Sequence, residues 1–196
     1  QKVTGSMKYL GDMDLGNMLH IKLVLSSVAN GKVIKIDTSL AEKVPGVVKI
    51  YSYANTSSTK YSGSAWFKGE NTPETETMFS QRVRFVGDRV AAVVAETPEA
   101  AKKAAELVKV EYEEYEPVLN VEDYLKDCKG KLHEDEPDYY VKEISCGNIE
   151  DAMEKAYKVF YDEVETQKIH HAAIENHICV AVPNPLEGIT VYSPCQ

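Results

Sequence analysis

Val83-Arg84-Phe85-Val86-Gly87-Asp88-Arg89-Val90-Ala91-Ala92-Val93-Val94-Ala95-Glu96-Thr97-Pro98-Glu99-Ala100-Ala101 decides how this chain is read. Val90 to Ala95 contains no polar residue, which suits a central strand covered on both faces. Gly87-Asp88 before it is turn chemistry, so Arg82–Val86 and Arg89–Ala95 are expected to form a hairpin. Thr97 stands where a helix N-cap belongs, with Pro98 at the first helical position and Glu99 at the positive helix end. Ala101, Ala104, Ala105 and Val108 then recur at i, i+3, i+4 and i+7 as one apolar stripe. Glu99 and Lys103 make an outward i, i+4 pair. The pattern predicts a helix over 98–107 and a returning strand from Val108 through Tyr112.

A second unit of this kind lies upstream. Gly31–Ile36 alternates as a strand, Asp37 or Thr38 caps, Ser39–Val44 makes a short helix, and Pro45-Gly46 stops it before the strand Val47–Tyr53. Met18–Leu25 reads as a strand with Leu19, Ile21, Leu23 and Leu25 on one face. Two strand–helix–strand units sharing a mixed sheet give an α+β domain over 1–125. Asn55–Thr77, rich in Ser, Thr, Gly and Glu, is expected to be a long polar and mobile loop.

The charge balance narrows the partners. A net charge of −9 over 196 residues argues against nucleic acid and anionic membrane surfaces. No apolar run reaches the roughly 18–20 residues of a membrane span. Cys128, Cys146, Cys179 and Cys195 show no C-x-x-C spacing, so free thiols in a cytoplasmic protein are expected rather than a local iron–sulfur motif. The acidic run Glu134, Asp135, Glu136 and Asp138 reads as a solvated linker over 126–138, not a cation site.

Beyond the linker, residues 139–196 are expected to begin a second domain. Ile149–Tyr157 follows Asn148 as a capped helix, Val159–Gln167, Ile174–Val182 and Gly188–Tyr192 read as strands, and Pro183–Glu187 as a turn. The last piece is short for an independent domain, and the chain looks cut. His170, His171, Glu175 and His177 crowd into eight residues, which raises a zinc-hydrolase alternative. They lack the His-Glu-x-x-His helical spacing, however, and structural polar contacts are the expected role. A free-standing protein-interaction module is the other alternative.

Several patterns carry a family likeness. Lys2-Val3-Thr4-Gly5, Tyr9 and Asp12 open the chain, followed by Met18-Leu19, Ser26, Ala29, Ile36-Asp37-Thr38, Ala41 and Pro45-Gly46-Val47. Phe85-Val86-Gly87 through Tyr112 continues the series. Gly147-Asn148-Ile149-Glu150-Asp151-Ala152, His170-His171-Ala172-Ala173-Ile174-Glu175 and Ser193-Pro194-Cys195-Gln196 complete it. Taken in order, they resemble the α/β-hammerhead domain and the start of the molybdopterin-binding region of the molybdenum hydroxylases, the xanthine dehydrogenase and aldehyde oxidase family.

That resemblance implies an oxidoreductase that hydroxylates a purine, another N-heterocycle or an aldehyde with water as oxygen source, xanthine being the first expectation. It implies a molybdenum cofactor, with iron–sulfur clusters and FAD on other domains or subunits, and as partners those domains, the remainder of the molybdopterin subunit and a small-molecule substrate. Gln196 stands at the family's cofactor-facing glutamine, where a carboxamide both donates and accepts. Pro194 and Cys195 depart from the family's Ser/Thr-Thr-Gln. The family's Gly-Gly-Gly-Phe-Gly segment, substrate-clamping Arg and catalytic Glu have no counterpart, so this chain alone is expected to be inactive, with no catalytic residue and no bound cofactor.

Overall fold

In a computed structural model the described residues are 1–62, 74–122, 132–133 and 144–194. They group into two units, Asn17–Val141 and Gln1–Gly16 with Lys142–Gln196.

The first unit is built from β1 (His20–Leu25), β2 (Gly31–Asp37), a 3₁₀ turn (Ala41–Lys43), β3 (Val47–Ser52), β4 (Arg82–Val83), β5 (Arg89–Ala95), α1 (Pro98–Leu107) and β6 (Lys109–Glu114). The α+β class is as expected. The shared mixed sheet is not, because the strands form two three-stranded sheets ordered β1-β5-β3 and β4-β2-β6. Every ladder in them is antiparallel. Each strand–helix–strand passage therefore starts in one sheet and ends in the other.

β5 takes the central place because its sequence is apolar on both sides. Val93 packs with Ala41, Val44, Ile50, Ala104 and Val108 in one cluster. Val90, of opposite parity along the strand, packs with Val28, Val33 and Val83 in a second cluster. Ile36 and Val110 touch both. Fully buried Ala104 and nearly buried Ala101 let α1 lie close on this core. The helix begins where expected, with the Thr97 hydroxyl accepting from the Ala100 amide at 3.1 Å.

The expected hairpin of Arg82–Val86 with Arg89–Ala95 does not form. β4 pairs with β2 through Val83–Gly31 and Arg82–Lys32, while β5 is flanked by β1 and β3. The Gly87-Asp88 turn exists, but it passes the chain between sheets. The Asp88 carboxylate accepts from the amides of Arg84 (3.1 Å) and Arg89 (2.8 Å). Ser26 and the turn exchange two backbone bonds of 2.8 Å, from the Ser26 amide to the Asp88 carbonyl and from the Gly87 amide to the Ser26 carbonyl. These bonds tie the turn to the end of β1.

The short helix expected over 39–44 narrows to the 3₁₀ turn. Asp37 caps the approach by accepting from the Ser39 amide at 3.0 Å, and the Ser39 hydrogen bonds hold its carboxyl below the usual range. The polar loop 55–77 lies outside the described residues over 63–73. Its stems meet at an antiparallel bridge between Tyr61 and Glu76. Arg89 fastens both stems to β5, donating to the Tyr61 hydroxyl and to the Glu76 carboxylate, each at 3.0 Å.

The second unit contains a 3₁₀ turn (Leu10–Asp12), α2 (Ile149–Lys155), β7 (Val180–Asn184) and β8 (Gly188–Tyr192). Asn148 caps α2 through the Asp151 amide at 3.0 Å. β7 and β8 form an antiparallel hairpin with Val182 opposite Thr190. Its turn is tightened by Asn184, which accepts from the Leu186 amide at 3.0 Å, and by Gly188 at φ +96°.

Val159–Gln167 is not a strand, and the strand expected from Ile174 begins only at Val180. Phe160, Tyr161, Val164, Ile169 and Ile174 are all exposed. Alternation alone makes no strand without a neighbouring edge to pair with, and no described residue provides one. Residues 1–16, expected with 1–125, here pack with the second unit. The 126–138 linker lies outside the described residues apart from Leu132 and His133.

Gly31 tests the first unit. A Cβ there would stand 2.6 Å from the Glu113 backbone carbonyl oxygen, which belongs to the paired strand and cannot swing aside. Gly31→Ala should destabilise the fold by about 1–3 kcal/mol, read as a lower urea midpoint. An unchanged midpoint would contradict the β2–β6 register.

Candidate functional site

Residues Leu10–Asp12 turn once as a 3₁₀ helix, leaving N-terminal amides in need of partners. One partner is local: the Asp12 carboxylate reaches back to the Tyr9 amide at 2.9 Å. Another comes from far along the chain. The Leu10 amide donates to Glu175 Oε1 at 3.0 Å across 165 residues of sequence. Beside this bond Gly11 approaches Ile178 so closely that a Cβ on it would sit 3.1 Å from Ile178 Cδ1.

These contacts build one end of an open hollow of about 740 Å³ in the second unit. Its lining includes Tyr9, Asp12, Asp14 and Glu175, together with the end of β8 at Tyr192 and the following Ser193 and Pro194. Lys8 adds one cation to a surface that carries three carboxylates.

Two residues of the histidine cluster have polar contacts of their own. His170 Nδ1 accepts from the Ala172 amide at 2.9 Å, and Ala172 stands at φ +49°, so the segment turns on itself. Glu175 is engaged by Leu10. Among the described residues no three His, Cys, Asp or Glu side chains converge as a metal site. Gln196 and Cys195 lie outside the described residues, as do Cys128 and the acidic run 134–138. Cys146 and Cys179 are exposed free thiols. Among the described residues no helix is long and apolar enough to cross a membrane.

Sequence reasoning missed the role of Glu175. The local half of the cap was open to view, since Asp12 follows Tyr9 by three residues as in a capping box. The long-range half had no periodic signature to betray it.

The architecture defines a class first: a small α+β domain in which two strand–helix–strand passages cross between antiparallel sheets, accompanied by a second unit. Comparison with known families then identifies it. Residues 4–116 match the aldehyde oxidase and xanthine dehydrogenase a/b hammerhead domain, and residues 132–196 match the molybdopterin cofactor-binding domain. The chain belongs to the aldehyde oxidase and xanthine dehydrogenase family.

Among curated relatives, a probable xanthine dehydrogenase subunit of Bacillus subtilis (strain 168) is 32% identical over the whole chain, which spans 25% of that protein. The nicotinate dehydrogenase large molybdopterin subunit of Eubacterium barkeri is 27% identical over 89% of the chain and 40% of its own length. The chain thus spans well under half of either relative. The solved aldehyde oxidoreductase from Desulfovibrio gigas superposes with a TM-score of 0.82 over 98% of this chain and 22% of that one. At 22% identity this likeness shows the fold.

The described residues do not by themselves fit the family's pterin cofactor. An anionic pterin dithiolene calls for amide donors, arginines or lysines. The hollow offers Asp12, Asp14 and Glu175 against Lys8 and stands open to solvent.

The absence of a converging ligand set among the described residues gives a direct expectation for metal binding. Zinc added in equimolar amount should not be retained through dialysis. Retained zinc that is lost in His171→Ala or His177→Ala would contradict this expectation.

Proposed function

We propose that this chain is the opening part of a molybdenum-dependent hydroxylase that inserts oxygen from water into a purine, another N-heterocycle or an aldehyde. The observation that carries this reading is the order of the two family matches, a hammerhead domain at 4–116 followed by a cofactor-binding domain at 132–196. Xanthine is the favoured substrate, supported by the name of the Bacillus subtilis relative. The nicotinate and aldehyde enzymes among the relatives mark the chemical range.

In this reading the cofactor supplies the redox chemistry, and the polypeptide supplies orientation and electrostatics. The hammerhead, assigned to 1–125, is a rigid framework. Residues 139–196 begin the cofactor-binding domain, joined to it by the acidic segment 126–138. The groups that would grip the cofactor, polarise the substrate and remove its proton are not among these residues, and iron–sulfur clusters and FAD on other domains or subunits would carry the electrons. This chain alone does not turn over.

Gln196 is the one residue assigned to the cofactor, through its place after Ser193-Pro194-Cys195. By its place in the family pattern, its carboxamide would offer a donor to the cofactor and an acceptor to the protein. Gln196→Ala in the full-length enzyme should lower turnover about 10–100-fold at equal molybdenum content. Stability should change by no more than about 0.5 kcal/mol. Wild-type turnover would remove Gln196 from the site.

The function itself is tested by purifying the full-length polypeptide with its partners, measuring molybdenum, and following isotope-labelled water into product from xanthine, nicotinate and an aldehyde. Stoichiometric molybdenum and label in the product are expected. A metal-free protein, or product oxygen drawn from O₂, would overturn the proposal.

A further inference from the structure

From Phe160 to Cys179 nearly every residue is open to solvent, and the two that are withdrawn are Glu175 and Ile178. These are the two that meet the N-terminal turn: Glu175 accepts from the Leu10 amide, and Ile178 lies against Gly11. Tyr9, Leu10 and Met13 are half-buried on the other side of the contact, whereas Lys8, Gly11, Asp12 and Asp14 around them are exposed. The same N-terminal stretch, Lys8 to Asp14, lines the hollow that the end of β8 also lines.

We infer that Glu175 is a latch: its carboxylate holds the Lys8–Asp14 stretch as a strap along the hollow, and release of that one bond frees the strap and strips the end of β8 of this wall. A carboxylate accepting a backbone amide at a 3₁₀ N-terminus is a charge-assisted bond, stronger than a neutral one. It also satisfies a donor that the turn leaves without an intrahelical partner. Next to it Gly11 fits against Ile178, with no room for a larger residue without a shift of the isoleucine. The latch is therefore polar at one residue and steric at the next.

The bond can be cut from either end. Glu175→Ala removes the acceptor, and Glu175→Gln keeps an oxygen in its place. Leu10→Pro removes the donor without a penalty to the turn, because proline suits the first helical position. Tyr9 before it is already extended at φ −100° and ψ 168°, as a residue preceding proline must be.

The measurement is trypsin cleavage after Lys8 in the full-length polypeptide, with hydrogen exchange of the Leu10 amide in all but the proline variants. Glu175→Ala and Leu10→Pro should each speed cleavage about tenfold, and Glu175→Gln should stay within about threefold of wild type. The double variant Leu10→Pro/Glu175→Ala should be cut no faster than Leu10→Pro alone, since both remove the same bond. Unchanged cleavage in Glu175→Ala, or effects that add in the double variant, would overturn the latch. If Glu175→Ala does not fold, Leu10→Pro against wild type decides the matter, and unchanged cleavage there refutes it.

Discussion

The double-sided burial of β5 is the constraint on which the first unit depends. A six-residue run without a polar side chain has no stable place at a sheet edge or on a solvated face. Set between β1 and β3, it gives Val93 to the cluster beneath α1 and Val90 to the cluster shared with β2 and β4. The two small sheets are thus held by a single strand's two faces, with Ile36 and Val110 closing the seam. The polar elements follow from that placement. Asp88 closes the turn into β5, and Arg89 at its first residue fastens the stems of the polar loop. The Tyr61 bond raises the Arg89 pKa against the opposing cost of burial.

Among its described residues the second unit has no such strand. Its hairpin turns Ala181 and Val191, and Pro183 and Ile189, to one face as cross-strand pairs. Ile189 and Val191 remain exposed there. A lone two-stranded hairpin is marginal in water, and exposed apolar strand surface of this kind ordinarily meets further protein. The proposed function supplies that protein in the remainder of the molybdopterin subunit. Val180 is the buried residue of the hairpin, which makes the contacts of the N-terminal turn matter more to this unit than a single 3₁₀ turn ordinarily would.

Local chemistry was legible in the sequence, and long-range pairing was not. Thr97, Pro98 and the alanine stripe placed α1 at both ends, and Asn148 fixed the start of α2. Gly188–Tyr192 was found intact, although the turn read over Pro183–Glu187 is shorter, since Pro183 and Asn184 belong to β7. The partition of strands between two sheets depends on which distant edge each strand meets. Adjacency in sequence wrongly favoured a hairpin of β4 with β5. Val159–Gln167 alternates well enough to look like a strand, but among the described residues it meets no edge to pair with. Glu175 drew notice as a neighbour of histidines and as the end of a family pattern, but nothing near it in sequence announces the Leu10 amide. Gln196 is known by its place in a family pattern alone.

Native-state hydrogen exchange tests most directly whether β5 organises the chain, since a strand that holds both clusters can exchange only when the first unit unfolds. The amides of Val90 to Ala95 should be the slowest in the molecule, sharing one opening free energy with the β1 and β3 amides bonded to them. The β7–β8 amides should exchange much faster. Protection of the hairpin equal to that of β5, or β5 amides exchanging ahead of β2 and β6, would contradict the account.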